Sequence, residues 1–416
     1  MLFLYNTGIY LYTLFIRIAS FNNKKAAAWI KGRKGLLELI EKNLDKSKRY
    51  TWFHFASLGE FEQGSPVLEQ LKSENPELPI VITFFSPSGY EIRKNYALAD
   101  YVFYLPVDTK TNAVEFIRLI NPTIAIFTKY EYWYHYFEEL SKNNIPLYVI
   151  SGRFRKEQIF FKWYGGLHRK ILSKVSHFFV QNQISSDLLK DIGYNNVTVN
   201  GDTRFDRVIF NASNANEIKV IADFTDGNNV FIGGSTWPED EKLITKLLEN
   251  YPEWKFIVAP HEVKPERINE IATLFPNSVR YSEIKNLQVV PDETHKQSSN
   301  FRVLIIDNIG LLSSAYQYGD IAYVGGGFGA GIHNTLEASA FGLSVIFGPN
   351  YKKFPEAIEL ISIGAAYSIR NYNDLADTMA TLKSDSKRAA ISKDASDYIK
   401  SHTGATQAIL DFIKEN

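Results

Sequence analysis

D-I-A-Y-V-G-G-G-F-G-A-G-I-H-N-T-L-E-A-S-A-F-G-L-S-V-I-F-G-P, Asp320 to Pro349, reads as an apolar strand, a glycine-rich loop, a helix start and a second strand. Five glycines between Gly325 and Gly331 let backbone N–H groups come close to an anion, and a helix opening near Asn334 points its positive end at the same place. Gly325, Gly326 and Gly327 are therefore candidate phosphate contacts. Glu337, one turn into the helix, is placed to accept hydrogen bonds from a ribose diol. The stretch also contains G-x-G-x-x-A at Gly325, Gly327 and Ala330. The following strand ends in Gly348-Pro349-Asn350, without the acidic residue that holds a dinucleotide ribose, so a mononucleotide fits better.

Working outward, short apolar runs alternate with amphipathic segments from Tyr50 onward. Thr51–Ala56, Pro79–Phe84, Thr123–Thr128, Leu147–Ser151 and His177–Val180 are predicted strands in the first half. A polar stretch from Gly201 to Asn229, containing N-A-S-N-A-N and D-G-N-N, interrupts the rhythm. It resumes with Val230–Gly233, Trp254–Val258, Val303–Ile306, Ile321–Val324 and Ser344–Phe347. The expected fold is α/β: two doubly wound, Rossmann-like parallel-sheet domains facing a cleft, with ligands at the carboxyl ends of the strands. The expected divisions are an N-terminal segment 1–35, a first domain 36–205, a second domain 206–386, and C-terminal helices 387–416 packing across both lobes.

The 416-residue chain balances 46 basic against 46 acidic residues, so bulk charge gives no reason to expect nucleic acid as a partner. With no cysteine, disulfides, thiolate catalysis and Cys-based zinc sites are excluded. The chain has no D-x-D pair and no H-E-x-x-H spacing, so metal-independent chemistry without a cofactor is expected. Leu2 to Ala19 is largely apolar and is followed by Lys24, Lys25, Lys31, Arg33 and Lys34. Its charge follows rather than precedes the apolar run, unlike a secretory signal. The segment suits either a short anchor or a helix lying in the membrane interface, with the basic cluster on the cytoplasmic side.

Chemistry-bearing residues follow the predicted strands. In H-F-A-S-L-G-E-F-E-Q-G, His54 to Gly64, a strand passes through Ser57 and Gly59 into a helix opening at Glu60. A carboxylate in a first helical turn stays ionised, which makes Glu60 a candidate general base. I-F-T-K-Y-E-Y-W-Y-H-Y, Ile126 to Tyr136, sets Lys129 and Glu131 beside aromatics that serve as a sugar platform or as core. Glu131 is a second catalytic candidate, to assist Glu60 or to bind a sugar hydroxyl. Arg153 and Arg155 offer guanidinium forks for a carboxylate or phosphate, and with Gly59 and Lys129 they are the acceptor or anion candidates. Ser235 and Thr236, at the end of another strand, are candidate N-cap donors toward a phosphate.

Taken in order, these motifs resemble the 3-deoxy-D-manno-octulosonic acid (Kdo) transferases of lipopolysaccharide biosynthesis. The family's S-x-G-E-F is matched by Ser57 to Phe61, its T-P-S/T-G by Ser86 to Gly89, and the E-x-W of M-E-T-E-x-W-P by Glu131 to Trp133. G-N-x-K-F-D corresponds to Gly201 to Asp206, A-G-S-T to Gly233 to Thr236, and G-G-H-N-x-L-E to Gly331 to Glu337. The resemblance implies a B-type glycosyltransferase on the cytoplasmic face of the inner membrane. It would transfer Kdo from CMP-Kdo to a lipid A precursor, with inversion, using Glu60 as base. It further implies CMP contacts at Ile309, Gly310 and Leu311, and at Asn334, Thr335, Leu336 and Glu337. Pro260 and His261 stand where the family has Pro-Arg, with Arg267 or Lys264 nearby as substitutes. Lys129 replaces the first Glu of M-E-T-E. The alternatives are a B-type glycosyltransferase with another donor, such as a UDP-sugar, and a non-catalytic, membrane-attached nucleotide-sugar-binding protein.

Overall fold

The computed structural model describes residues 1–287 and 301–416. They divide into two compact units, Met1–Arg207 with Thr403–Asn416, and Val208–His402. The polar stretch that breaks the strand rhythm folds into two helices, Thr203–Ser213 and Lys219–Thr225, and the division falls inside the first of them. Of the C-terminal helices, Asp385–Ser401 belongs to the second unit and Ala405–Glu415 to the first.

The first unit is built on strands β1 (Tyr50–Phe55), β2 (Ile80–Phe84), β3 (Tyr101–Tyr104), β4 (Pro122–Thr128), β5 (Leu147–Gly152), β6 (His177–Val180) and β7 (Val197–Val199). They form a parallel sheet in the order β3-β2-β1-β4-β5-β6-β7. β1 and β2 are buried along their whole length, which is why they read as unbroken apolar runs rather than as alternation. Side chains alternate across the sheet all the same. Tyr50 and Trp52 join one core with Phe116, Phe127 and Tyr136. Phe53 and Phe55 join the other with Phe61, Ile82 and Phe84. The final helix inserts Ile409 and Leu410 into this second core, and Asp206 accepts hydrogen bonds from the N–H groups of Gly404 (2.6 Å) and Thr406 (2.7 Å).

The second unit repeats the plan with β8 (Val230–Thr236), β9 (Lys255–Pro260), β10 (Ser278–Arg280), β11 (Val303–Ile305), β12 (Ile321–Val324), β13 (Ser344–Phe347) and β14 (Ala366–Ser368). Their order is β10-β11-β9-β8-β12-β13-β14, again parallel. The architecture is two Rossmann-like α/β domains. In the first sheet the turns at the carboxyl edge carry short polar residues that cap the following helix. Ser57, Ser86, Thr109 and Asn182 each accept a hydrogen bond from an N–H of the helix they precede.

Candidate functional site

In the first unit the helix after β1 starts at Leu58, two residues before the expected opening at Glu60, because Ser57 takes the N-cap. Its Oγ accepts from Gly59 N–H at 3.2 Å and donates to Glu60 Oε2 at 2.5 Å. Glu60 thus occupies the third helical position, half-buried, with its carboxylate held in the first turn. Gly59 is exposed beside it.

Glu131 is held by a chain of side chains crossing the centre of the sheet. Its Oε2 lies 2.6 Å from His54 Nε2 and accepts from Trp133 Nε1 at 3.1 Å. His54 Nδ1 is 2.8 Å from Thr83 Oγ1, which also accepts from Trp52 Nε1 at 2.8 Å. An indole N–H only donates, so Thr83 Oγ1 accepts from Trp52. An ionised carboxylate only accepts, so His54 carries a proton on Nε2 and donates it to Glu131, and in the neutral imidazole Nδ1 accepts from Thr83. The direction of the chain, Trp52 to Thr83 to His54 to Glu131, follows from the carboxylate at its end. His54 was absent from the sequence candidates because a histidine inside an apolar strand reads as core. Its partners come from β2 and from the turn after β4, which no local spacing reveals.

Beyond β4, Lys129 adopts φ +65° and its N–H donates to Ile150 O at 3.0 Å. Burial lowers the pKa of its ammonium; Asp202 and Glu60 push it back up, while Arg204 and Arg153 add to the lowering. Arg153 is half-buried at the end of β5 and Arg155 is exposed. The aromatics divide between the two expected roles: Tyr134, Tyr136 and Phe137 are core, whereas Tyr130 is exposed and Trp133 packs against Phe85 with ring centroids 5.0 Å apart.

In the second unit the glycine-rich loop follows β12. Gly325 and Gly327 are required for close packing: a Cβ on Gly325 would lie 2.2 Å from Ser235 O, and one on Gly327 2.6 Å from Gly348. Gly326 and Gly331 adopt φ +89° and +146°. Several loop amides are engaged within the protein. Gly325 N–H donates to Gly234 O at 2.9 Å and Gly326 N–H to the Asp240 carboxylate at 3.0 Å. The amides of Gly327, Phe328 and Ala330 have no acceptor among the described residues. A cavity of about 270 Å³ opens here, lined by Trp237, Asp240, Gly326, Phe328, Gly331 and His333 among others.

Ser235 and Thr236 do not cap the next helix. Both belong to β8, Ser235 at φ +52°; Thr236 donates to Glu241 at 3.0 Å, and the N-cap is Trp237. The reason is Pro238 at the first helical position, which sets the start one residue later than the polar pair suggests. Asp240, unremarked in the sequence, accepts from Trp237 N–H (2.9 Å) and Tyr323 Oη–H (2.7 Å) besides Gly326. Burial raises its pKa against these bonds. The acidic first turn after a proline was the available signal.

Pro260 ends β9 and His261 follows it, exposed. The His261 ring stacks between Trp237 (centroids 4.9 Å) and His333 (4.4 Å), and Trp237 Nε1 donates to His333 Nε2 at 3.2 Å. Burial, then the neighbouring His261, lowers the His333 pKa to about 4. Neither expected substitute for the family arginine is free. Arg267 is ion-paired with Glu241 and Glu270, and Lys264 pairs with Glu262 at 3.1 Å. The helix expected near Asn334 is a short one, Leu336–Ala340, with Thr335 buried as N-cap. Asn334 accepts from Leu336 N–H at 3.1 Å and donates to Glu337 at 3.0 Å, which ties these two candidates together. Ile309 and Gly310 form an exposed turn, Gly310 at φ +91°, and Leu311 is half-buried. Among the described residues no three His, Cys, Asp or Glu side chains gather as a metal site.

The family model described as "3-Deoxy-D-manno-octulosonic-acid transferase (kdotransferase)" matches residues 30–207. The chain is 27% identical over 382 residues to the 3-deoxy-D-manno-octulosonic acid transferase of Haemophilus influenzae, covering 87% of this chain and 86% of that one. It is 26% identical over 359 residues to that of Aquifex aeolicus, covering 84% and 91%. Among solved structures, the fold is similar to UDP-GlcNAc 2-epimerase from Neisseria meningitidis, with a TM-score of 0.61, 16% identity and coverage of 88% and 100%. It is also similar to MurG from Acinetobacter baumannii, with a TM-score of 0.51, 12% identity and coverage of 88% and 100%. The fold likeness, the match across the first unit and the relatives aligned along most of both chains agree with the motifs: the chain is a glycosyltransferase similar to the 3-deoxy-D-manno-octulosonic acid transferases.

Proposed function

We propose that the protein transfers Kdo from CMP-Kdo to a sugar hydroxyl of a lipid A precursor, with inversion at the anomeric carbon. The observation that carries this reading is Glu60, fixed by Ser57 in the first turn after β1 and half-exposed. Its carboxylate takes the proton of the acceptor hydroxyl, and the oxygen attacks the anomeric carbon. The bond to the cytidylyl phosphate breaks with its electron pair going to CMP. Glu131, oriented through His54, binds an acceptor hydroxyl. In the second unit the unengaged amides of Gly327, Phe328 and Ala330 meet the phosphate, and Asn334 and Glu337 meet the ribose. His261 stands where the family arginine would, so the donor phosphate faces an imidazole stacked between two rings. The chemistry uses no cofactor and no metal.

The helix Leu2–Ala19 is long and apolar enough to cross a membrane, and none of its residues is buried. We place it along the membrane surface instead. Tyr5 Oη donates to Asp108 at 2.5 Å, Asn6 Oδ1 pairs with His135 Nε2 at 2.8 Å, and Tyr12 stacks on Phe85 at 6.1 Å. Residues 5 and 12 are about 10 Å apart along the axis, so the helix is pinned to the first unit along its side. Phe3, Leu4, Phe15, Ile18 and Phe21 are left exposed. With the lysines that follow, this face meets anionic lipid on the cytoplasmic side of the inner membrane, where the acceptor resides. Glu60→Ala tests the catalytic reading: it abolishes transfer and leaves CMP affinity unchanged, and near wild-type turnover would remove Glu60 from the role.

A further inference from the structure

Two cations at the carboxyl edge of the first sheet have no ion-pair partner among the described residues. β4 and β5 pair in parallel through Thr128↔Ile150, so Lys129 stands level with Ser151 at the carboxyl edge and Arg153 follows two residues on, just past the end of β5. Both are half-buried. Among the described residues neither side chain has a carboxylate within ion-pairing distance, and the ammonium of Lys129 has only the Tyr130 ring, 5.5 Å away. Other half-buried cations have acceptors: Arg204, Arg207 and Arg267 are paired with Asp202, Glu69 and Glu241, and Arg33, Arg169 and Arg302 donate to backbone carbonyls. The backbone is also strained here. Lys129 has φ +65° and Ser151, two residues before Arg153, has φ +52°. Such a conformation is unfavourable for a side-chain-bearing residue and persists where the surroundings hold it, commonly at ligand sites. Lys129, Arg153 and Glu60 belong to one electrostatic neighbourhood, since Glu60 and Arg153 act on the Lys129 ammonium in opposite directions.

We propose that Lys129 and Arg153 form an oxyanion subsite that receives a phosphomonoester or carboxylate carried by the acceptor, beside the hydroxyl that Glu60 deprotonates. This rests on the transfer reading above. An arriving anion supplies the missing counter-charge, with two donors from the guanidinium fork and a point charge from the ammonium.

The test is a titration of the full-length protein with orthophosphate in the presence of saturating CMP, followed by calorimetry, with acetate as a second probe. The wild type is expected to bind phosphate saturably. Lys129→Met and Arg153→Met are expected to weaken it about tenfold or more, the loss of a charge-assisted hydrogen bond. Lys129→Arg restores it to within about threefold on the same scale, and equal thermal midpoints show that the variants fold. Phosphate held much more tightly than acetate assigns the subsite to a phosphomonoester; equal affinity assigns it to a carboxylate. Absence of saturable binding in the wild type, or wild-type affinity in both Met variants, overturns the proposal. If phosphate binds through Lys129 but no sugar is transferred, the subsite stands and the transfer reading falls. If sugar is transferred while both Met variants keep wild-type phosphate affinity and acceptor KM, the subsite alone falls.

Discussion

His54 Nε2 lies 2.6 Å from Glu131 Oε2, and this contact joins the carboxyl end of β1 to the turn beyond β4. Because His54 is 1% exposed, removing it takes a partner from both Thr83 and Glu131. His54→Ala is expected to cost about 1–3 kcal/mol in chemical denaturation, from unsatisfied buried partners. Thr83→Val should act in the same direction, and a double-mutant cycle between them should show a coupling of about 0.5–3 kcal/mol. Simple additivity would contradict the directed chain.

The Glu60 carboxylate accepts the Ser57 hydroxyl, and Glu60→Gln keeps that geometry while removing the base. The expected loss in kcat is about 10²–10⁴-fold, with donor KM unchanged. Steady-state kinetics with varied donor separates this from a binding defect.

His333 titrates near pH 4 in the folded protein, below the usual value of about 6.5 for an unfolded histidine. Its neutral form contributes stability in full above about pH 6.5, and the contribution is lost as pH falls toward 4. The thermal midpoint should therefore fall over that interval, and His333→Asn should flatten the fall. An unchanged slope would assign the acid sensitivity to other groups.

Phe3 and Phe15 on the N-terminal helix, and Phe21 in the turn after it, are 79%, 66% and 85% exposed. Replacing all three by Ser is expected to abolish cosedimentation with anionic vesicles without changing the thermal midpoint. Raising salt should weaken wild-type binding in part, because the lysine contribution is screened and the apolar one is not.

The strands legible in the sequence are the interior ones, and the four it missed, β3, β7, β10 and β14, are the edges of the two sheets. Edge strands are short and half solvated: β7 has no buried residue and β10 one, so no apolar run marks them. Glu60 was legible because capping is local, a serine three residues before a glutamate. The His54 chain and the Asp240 hub were not, because their partners are brought together by sheet order. The glycine loop was half legible. Its glycines are where expected, yet Gly325 and Gly327 answer to chain packing, and the Gly326 amide is taken by Asp240.

Kdo transfer is decided by incubating the purified full-length protein with CMP-Kdo and a tetraacylated lipid A precursor and weighing the lipid product by mass spectrometry. Wild-type protein is expected to add whole Kdo residues and Glu60→Gln none. An unchanged lipid with the wild type, or equal product from the variant, would contradict the proposed transfer.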